Sequence, residues 1–240
     1  MIGQRLLDQV MRLRVGRRGY VMCTAPRSGS NLLCQYLTST GVLGKPLEYF
    51  NASARRILND PAYPDDPTLQ VQQILTTGAT GNGVYGVKVF AYQNAAVAAT
   101  LDWPRSLPNL TCIYLKRRDR LGQALSWARA LQTSQYRSTQ PKQGVAVYDA
   151  RVIRERLEAL AWEDTEWRQF FESRRIAPFE IVYEDFVVAP QETVDRIADF
   201  VGIRAAARIV HDQIDLAIQR NAETEEWRAR FLSEQQGALR

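Results

Sequence analysis

Histidine is almost missing from these 240 residues. His211 is the only one, and no Gly-x-Ser-x-Gly elbow accompanies it, which argues against a Ser-His-Asp hydrolase. Cysteine is scarce as well: Cys23, Cys34 and Cys112 have no CxxC spacing and fall within apolar patterns. They read as small buried hydrophobes of a reducing compartment, not as a disulfide framework or metal site, and no other metal-ligand cluster is evident. No apolar run approaches the ~18 residues of a membrane span, so the chain reads as soluble and cytoplasmic. The first 18 residues interleave Ile2, Leu6, Leu7, Val10, Met11 and Leu13 with Arg5, Arg12, Arg14, Arg17 and Arg18, too polar a mixture for a signal-peptide core. This stretch reads as a basic amphipathic helix packed on its own domain, compatible also with peripheral contact at the inner face of a membrane or with a second subunit.

What is present fits one folded domain over residues 1–240, with 45% hydrophobic and 24% charged residues. A net charge of +5 suits an anionic ligand, a phospholipid surface or a nucleic acid without choosing among them. No nucleic-acid motif or aromatic stacking platform is evident, so no nucleic-acid partner is expected. Short apolar runs at Tyr20–Thr24, Val84–Phe90, Leu110–Leu115 and Phe179–Tyr183 read as strands. Helical patterns lie between and after them, at Ser30–Thr40, Leu121–Leu131, Ala150–Arg174 and Gln191–Val201. That alternation predicts an α/β fold with a mainly parallel sheet covered on both faces, and ligands beyond the carboxyl ends of the strands. Asn59–Pro67, with three prolines, and Thr133–Gly144 break the rhythm. They read as loops over the binding face or at an oligomer contact, the second running on to residue 149.

The most informative stretch is Thr24-Ala-Pro-Arg-Ser-Gly-Ser-Asn31, which joins the first strand to the first helix. A tight turn at Gly29 followed by the free N–H groups of a helix start makes an anion cradle, and Arg27, Ser28, Ser30 and Asn31 add hydrogen-bond donors. It is not a Walker A loop, because the lysine and the Mg²⁺-holding hydroxyl of that motif are absent. A second basic cluster, Lys116-Arg-Arg-Asp-Arg120, follows the third strand. Arg118 and Ser126, eight positions apart, would face one edge there and hold a second phosphate.

The [KR]-S-G-[ST] loop, the R-x₇-S pair and Tyr183-Glu-Asp-Phe186 together resemble the sulfotransferases that use 3′-phosphoadenosine 5′-phosphosulfate. Within them, Pro26-Arg-Ser-Gly-Ser-Asn-Leu-Leu33, Gly44-Lys-Pro-Leu-Glu-Tyr-Phe50, Arg118 to Ser126 and Thr224-Glu-Glu-Trp227 are most similar to the bacterial trehalose 2-sulfotransferase type and the related lipopolysaccharide and nodulation-factor enzymes. The resemblance implies a P-loop-type three-layer sandwich and a single sulfotransferase domain. It implies that Arg27, Ser28, Gly29, Ser30 and Asn31 bind the 5′-phosphosulfate, that Arg118 and Ser126 bind the 3′-phosphate, and that Glu48 is the general base. The acceptor it implies is a hydroxyl of a carbohydrate or glycolipid, no metal is required, and a homodimer is the family expectation.

An isolated Glu48 has an ordinary carboxyl and is a weak base unless the proton leaves late or burial raises its pKa. Lys88, a charge inside an apolar strand, either stands beside the sulfuryl group or snorkels to the rim. Arg220 and Arg228 near Trp227 are further candidates to close over the donor. Two alternatives stay open: a phosphoryl-transfer protein with a degenerate P-loop, and a non-enzymatic anion-binding module.

Overall fold

Four strands form one parallel sheet in the order β2-β1-β3-β4: β1 (Arg18–Thr24), β2 (Val84–Phe90), β3 (Leu110–Lys116) and β4 (Phe179–Val182). The computed structural model describes residues 16–58, 60–216 and 222–238. Most of the expected N-terminal helix, and Arg220, lie outside them. The helices are α1 (Ser30–Ser39), α2 (Ala52–Leu58), α3 (Pro67–Thr76), α4 (Ala91–Ala98), α5 (Trp103–Ser106), α6 (Arg120–Thr133), α7 (Ala150–Arg174), α8 (Tyr183–Phe186), α9 (Pro190–Val201) and α10 (Ala222–Ala238).

The central strand shows why the sheet is covered twice. Val21 and Cys23 pack into a cluster with Trp103, Trp167, Phe170 and Phe171. Their neighbours Tyr20 and Met22 pack oppositely, with Leu33 and Leu37 of α1 and Val194 and Ile197 of α9. Successive strand side chains point to opposite faces, so the unbroken apolar run Tyr20–Cys23 needs helices on both sides. A third cluster joins α6, α7 and α10 through Leu125, Ile153, Leu160, Trp227 and Phe231.

Register brings the chemistry to one edge. Thr24 pairs with Phe90 on one side and Leu115 on the other, so β1, β2 and β3 end level, and the loops that follow emerge together. One sequence expectation shifts slightly: β4 stops at Val182 because Tyr183 opens the short helix α8. His211 sits in a 3₁₀ turn over His211–Gln213.

Gly29 precedes α1 with φ +85°, and a Cβ built there would meet the Tyr183 ring at 2.2 Å. Both the left-handed backbone and the close ring exclude a side chain. Gly29→Ala is expected to cost about 2 kcal/mol or more in urea unfolding, with part of the loss relieved in a Tyr183→Ala background. A variant as stable as the parent would show that neither the conformation nor the ring constrains this turn.

Candidate functional site

The β1–α1 loop is braced from below, so that its upper surface faces a cavity of about 1170 Å³. Thr24 Oγ1 donates to the Leu115 carbonyl (2.9 Å) and therefore accepts from Ser28 Oγ (2.6 Å). Ser28 is buried by this bond and its side chain braces the loop instead of lining the cavity, unlike the anion contact expected of its hydroxyl. Arg27, Gly29, Ser30 and Asn31 do line it. The Gly29 carbonyl accepts from the N–H groups of Leu32 and Leu33, while those of Ser30 and Asn31 have no acceptor within the helix. Arg27 adopts φ +61° and sends Nε to Ser126 Oγ (3.0 Å) and Nη1 to the Tyr136 carbonyl (2.5 Å). Burial, with Arg117 and Arg129 nearby, lowers its pKa to about 10, so the guanidinium stays charged at neutral pH.

Glu48 reaches this loop by joining the sheet edge. Leu47 forms a parallel bridge with Val87, and the Lys88 N–H donates to the Leu47 carbonyl (2.9 Å), which sets Glu48 beside Lys88. The Lys88 ammonium, 3% exposed, lies 2.8 Å from Glu48 Oε1 and 2.5 Å from Asn31 Oδ1. It does not snorkel to the rim. Glu48 Oε2 also accepts from Asn51 (2.8 Å) and Gln93 (2.9 Å). Burial pushes the Glu48 carboxyl up, but Lys88, Asn51 and Gln93 together outweigh it, and the group sits below the usual carboxylate range. The net shift is therefore downward, and Glu48 is ionised at neutral pH.

At the second basic cluster the alternation of side chains separates neighbours. Arg117 lines the cavity with its guanidinium 4.9 Å from the centre of the Tyr183 ring, and its Nη1 donates to the Arg27 carbonyl (3.3 Å). Arg118 turns outward, contrary to the expected shared edge with Ser126. Its Nη2 reaches both oxygens of the exposed Asp185 (2.5 and 2.6 Å), and the Arg118 and Asp119 N–H groups donate to Glu184. Ser126 faces the cavity as expected. Arg228 also lines it, gripping Asp119 with both nitrogens (3.1 and 2.6 Å).

Sequence reading missed two cavity residues, Arg117 and Arg129, and Gln93, which holds Glu48 from behind the wall. Arg117 was hidden by its neighbour; Arg129, which pairs with Glu223 at 2.5 Å, sits inside an ordinary helix. Gln93 opens α4, where its side chain accepts from the Phe90 N–H (3.0 Å), an N-terminal signature visible as a glutamine three residues past a strand end. Behind it, Glu163 of α7 is 2% exposed and accepts from the N–H groups of Ala91 (2.6 Å) and Tyr92 (3.4 Å), fixing the helix that presents Gln93. Among the described residues, no group of three or more His, Cys, Asp or Glu side chains is placed to hold a metal ion, and no helix is long and apolar enough to cross a membrane.

Comparison with known proteins fits this geometry. The family model described as Stf0 sulphotransferase matches residues 19–234. Trehalose 2-sulfotransferase of Mycobacterium tuberculosis (strain ATCC 35801 / TMC 107 / Erdman) is 30% identical over 207 residues, covering 69% of this chain and 77% of the relative. The enzyme of the same name from Mycolicibacterium smegmatis (strain ATCC 700084 / mc(2)155) is 28% identical over 207 residues, covering 68% and 76%. The fold is shared with a crystal structure of a sulfotransferase from Alicyclobacillus acidocaldarius (TM-score 0.51, 15% identity, 91% of this chain and 93% of the other). It is shared too with the sulfotransferase domain from the curacin biosynthetic pathway (TM-score 0.52, 16% identity, 90% and 98%).

Glu163 supplies a pH test of this arrangement. Burial raises its carboxyl to about 7, the Ala91 and Tyr92 N–H groups pull the other way, and Glu166 adds to the rise. A raised carboxyl stabilises the native state fully below the ordinary range near ~4.3, and that contribution fades as pH rises through about 7. The stability of the parent relative to Glu163→Gln is therefore expected to fall by up to about 3 kcal/mol between pH 4 and pH 8 in denaturant titrations. A difference that does not move with pH would mean that Glu163 does not titrate in this range.

Proposed function

Because the chain belongs to the Stf0 sulphotransferase family, we propose that it transfers a sulfuryl group from 3′-phosphoadenosine 5′-phosphosulfate to a hydroxyl of a carbohydrate or glycolipid. The observation that carries this reading is the Asn31–Lys88–Glu48 chain, which ties an anion-binding loop to an ionised carboxylate within one cavity. The two relatives' names specify a sugar as their acceptor, which supports a sugar hydroxyl here.

In this reading the 5′-phosphosulfate lies on the loop, held by Arg27, Ser30, Asn31 and the N–H groups at Ser28 and Gly29. The 3′-phosphate is held by Ser126, and Arg118 joins it only by swinging away from Asp185. The Arg118–Asp185 pair is exposed, and such pairs contribute little, so exchanging Asp185 for a phosphate is inexpensive. Arg117 and Arg228 supply further positive charge along the same cavity.

The donor, when bound, supplies an electrophilic sulfur and a leaving phosphate. The protein's residues do the rest. Glu48 accepts the proton of the attacking hydroxyl; Asn51 and Gln93 orient its carboxylate, while Lys88 holds its other oxygen. With its pKa held low, Glu48 is a weak base, effective when the proton leaves late in the displacement. Charge growing on the leaving oxygen is met by Arg27 and the α1 N-terminus.

Isothermal titration is expected to show 3′,5′-adenosine bisphosphate binding at least tenfold tighter than ADP, without added metal. Equal affinities, or Mg²⁺-dependent ATP binding, would favour the degenerate P-loop reading instead. Glu48→Gln is expected to keep bisphosphate affinity within about twofold while turnover falls by roughly 10²–10⁴. Unchanged turnover would remove Glu48 as the base.

A further inference from the structure

Apolar side chains exposed to water are common singly and informative when they gather. Here Ile57, Leu58, Tyr92, Leu131 and Tyr136 are all large, exposed and part of the wall of the one cavity that holds Glu48. Two of them continue a face that begins at the carboxylate itself. Asn51, which donates to Glu48 and caps α2 by accepting from the Ala54 N–H (3.2 Å), is followed at helical spacing by Ala54, Ile57 and Leu58. All four line the cavity. At the helical rise of ~1.5 Å per residue, this face runs about 10 Å from a polar end at Glu48 to an apolar end where Ile57 is 85% exposed. Tyr92 flanks the polar end, 5.7 Å from Phe90 between ring centres, with its hydroxyl accepting from Gln93 (3.2 Å).

A polar-to-apolar gradient starting at the base matches an acceptor with the same gradient. We propose that the acceptor is amphiphilic, with a hydroxyl-bearing polar head at Glu48 and an alkyl chain seated on Ile57 and Leu58. This rests on the reading of Glu48 as the base, and it selects a lipid-linked sugar over a free one. A free sugar would leave the outer half of the wall in water.

The test is a series of methyl, butyl and octyl glycosides of one sugar, kept below micelle-forming concentrations and followed by titration in the presence of 3′,5′-adenosine bisphosphate and by turnover. Affinity is expected to rise about tenfold or more from methyl to octyl, the gain of shielding a few methylenes from water. The Ile57→Ser/Leu58→Ser double variant, altered only at exposed positions, is expected to lose that gain, binding the octyl member no better than the methyl one. A flat series in the parent protein, or a double variant that keeps the full gain, overturns the proposal. So does a double variant whose only change is in association state by sedimentation, because the wall would then belong to a second copy of the chain. Failure of the bisphosphate itself to bind would strike the functional reading instead, so the two failures are separable.

Discussion

One buried ammonium organises the carboxyl end of this sheet. Lys88 stands near the end of a strand whose other residues are all buried, and its charge is tolerable only because partners surround it. Glu48 neutralises it, Asn31 accepts from it, and the Phe90 ring lies 5.2 Å away. The consequence is a fixed distance between the β1–α1 loop and the carboxylate. Neither loop sets that distance alone; the strand does, through the Leu47–Val87 bridge on one side and the β1 register on the other. Removing the ammonium would leave Glu48 buried against amides only, with its carboxyl free to rise.

The Tyr183-Glu-Asp-Phe186 run performs a second kind of coupling. Tyr183 packs on Gly29 and receives the Arg117 guanidinium over its ring, while Glu184 accepts from the two N–H groups after β3, and Asp185 takes Arg118. Three consecutive residues thus join the β1–α1 loop to the basic turn after β3. This explains why a strand-to-helix motif far along the chain belongs with two loops that precede it: it is the floor on which both rest.

Much of this was legible in sequence, for physical reasons. β2 and α7 fall where the apolar periodicity puts them, and β1, β3, α1, α6 and α9 differ by one or two residues at their ends. The short helices were not legible. α3 begins inside what reads as a proline-rich loop, although Asp66 caps it and Pro67 opens it, a signal that was there to be read. α4 starts directly at the end of β2, with its N-terminus held by Glu163 from α7, a tertiary bond that no local pattern encodes. At the site, the loop and Glu48 could be recognised as motifs, but side-chain direction could not. Arg117 and Arg118 are equivalent in sequence; the Tyr183 ring and the Arg27 carbonyl hold one in the cavity wall, and Asp185 draws the other out. The Ser28 hydroxyl is likewise a donor on paper and a brace in the fold.

The choice of arginine at position 27 follows from the same geometry. Its backbone is already in the left-handed region, which a non-glycine residue adopts only when the surroundings compensate. Those surroundings include the Ser126 hydroxyl of α6 and the Tyr136 carbonyl beyond it, reached by two different nitrogens of one planar group. A lysine carries a compact charge and lacks the rigid planar fork that reaches both here. The fork therefore ties the β1–α1 loop to the helix bearing Ser126 and to the chain at Tyr136.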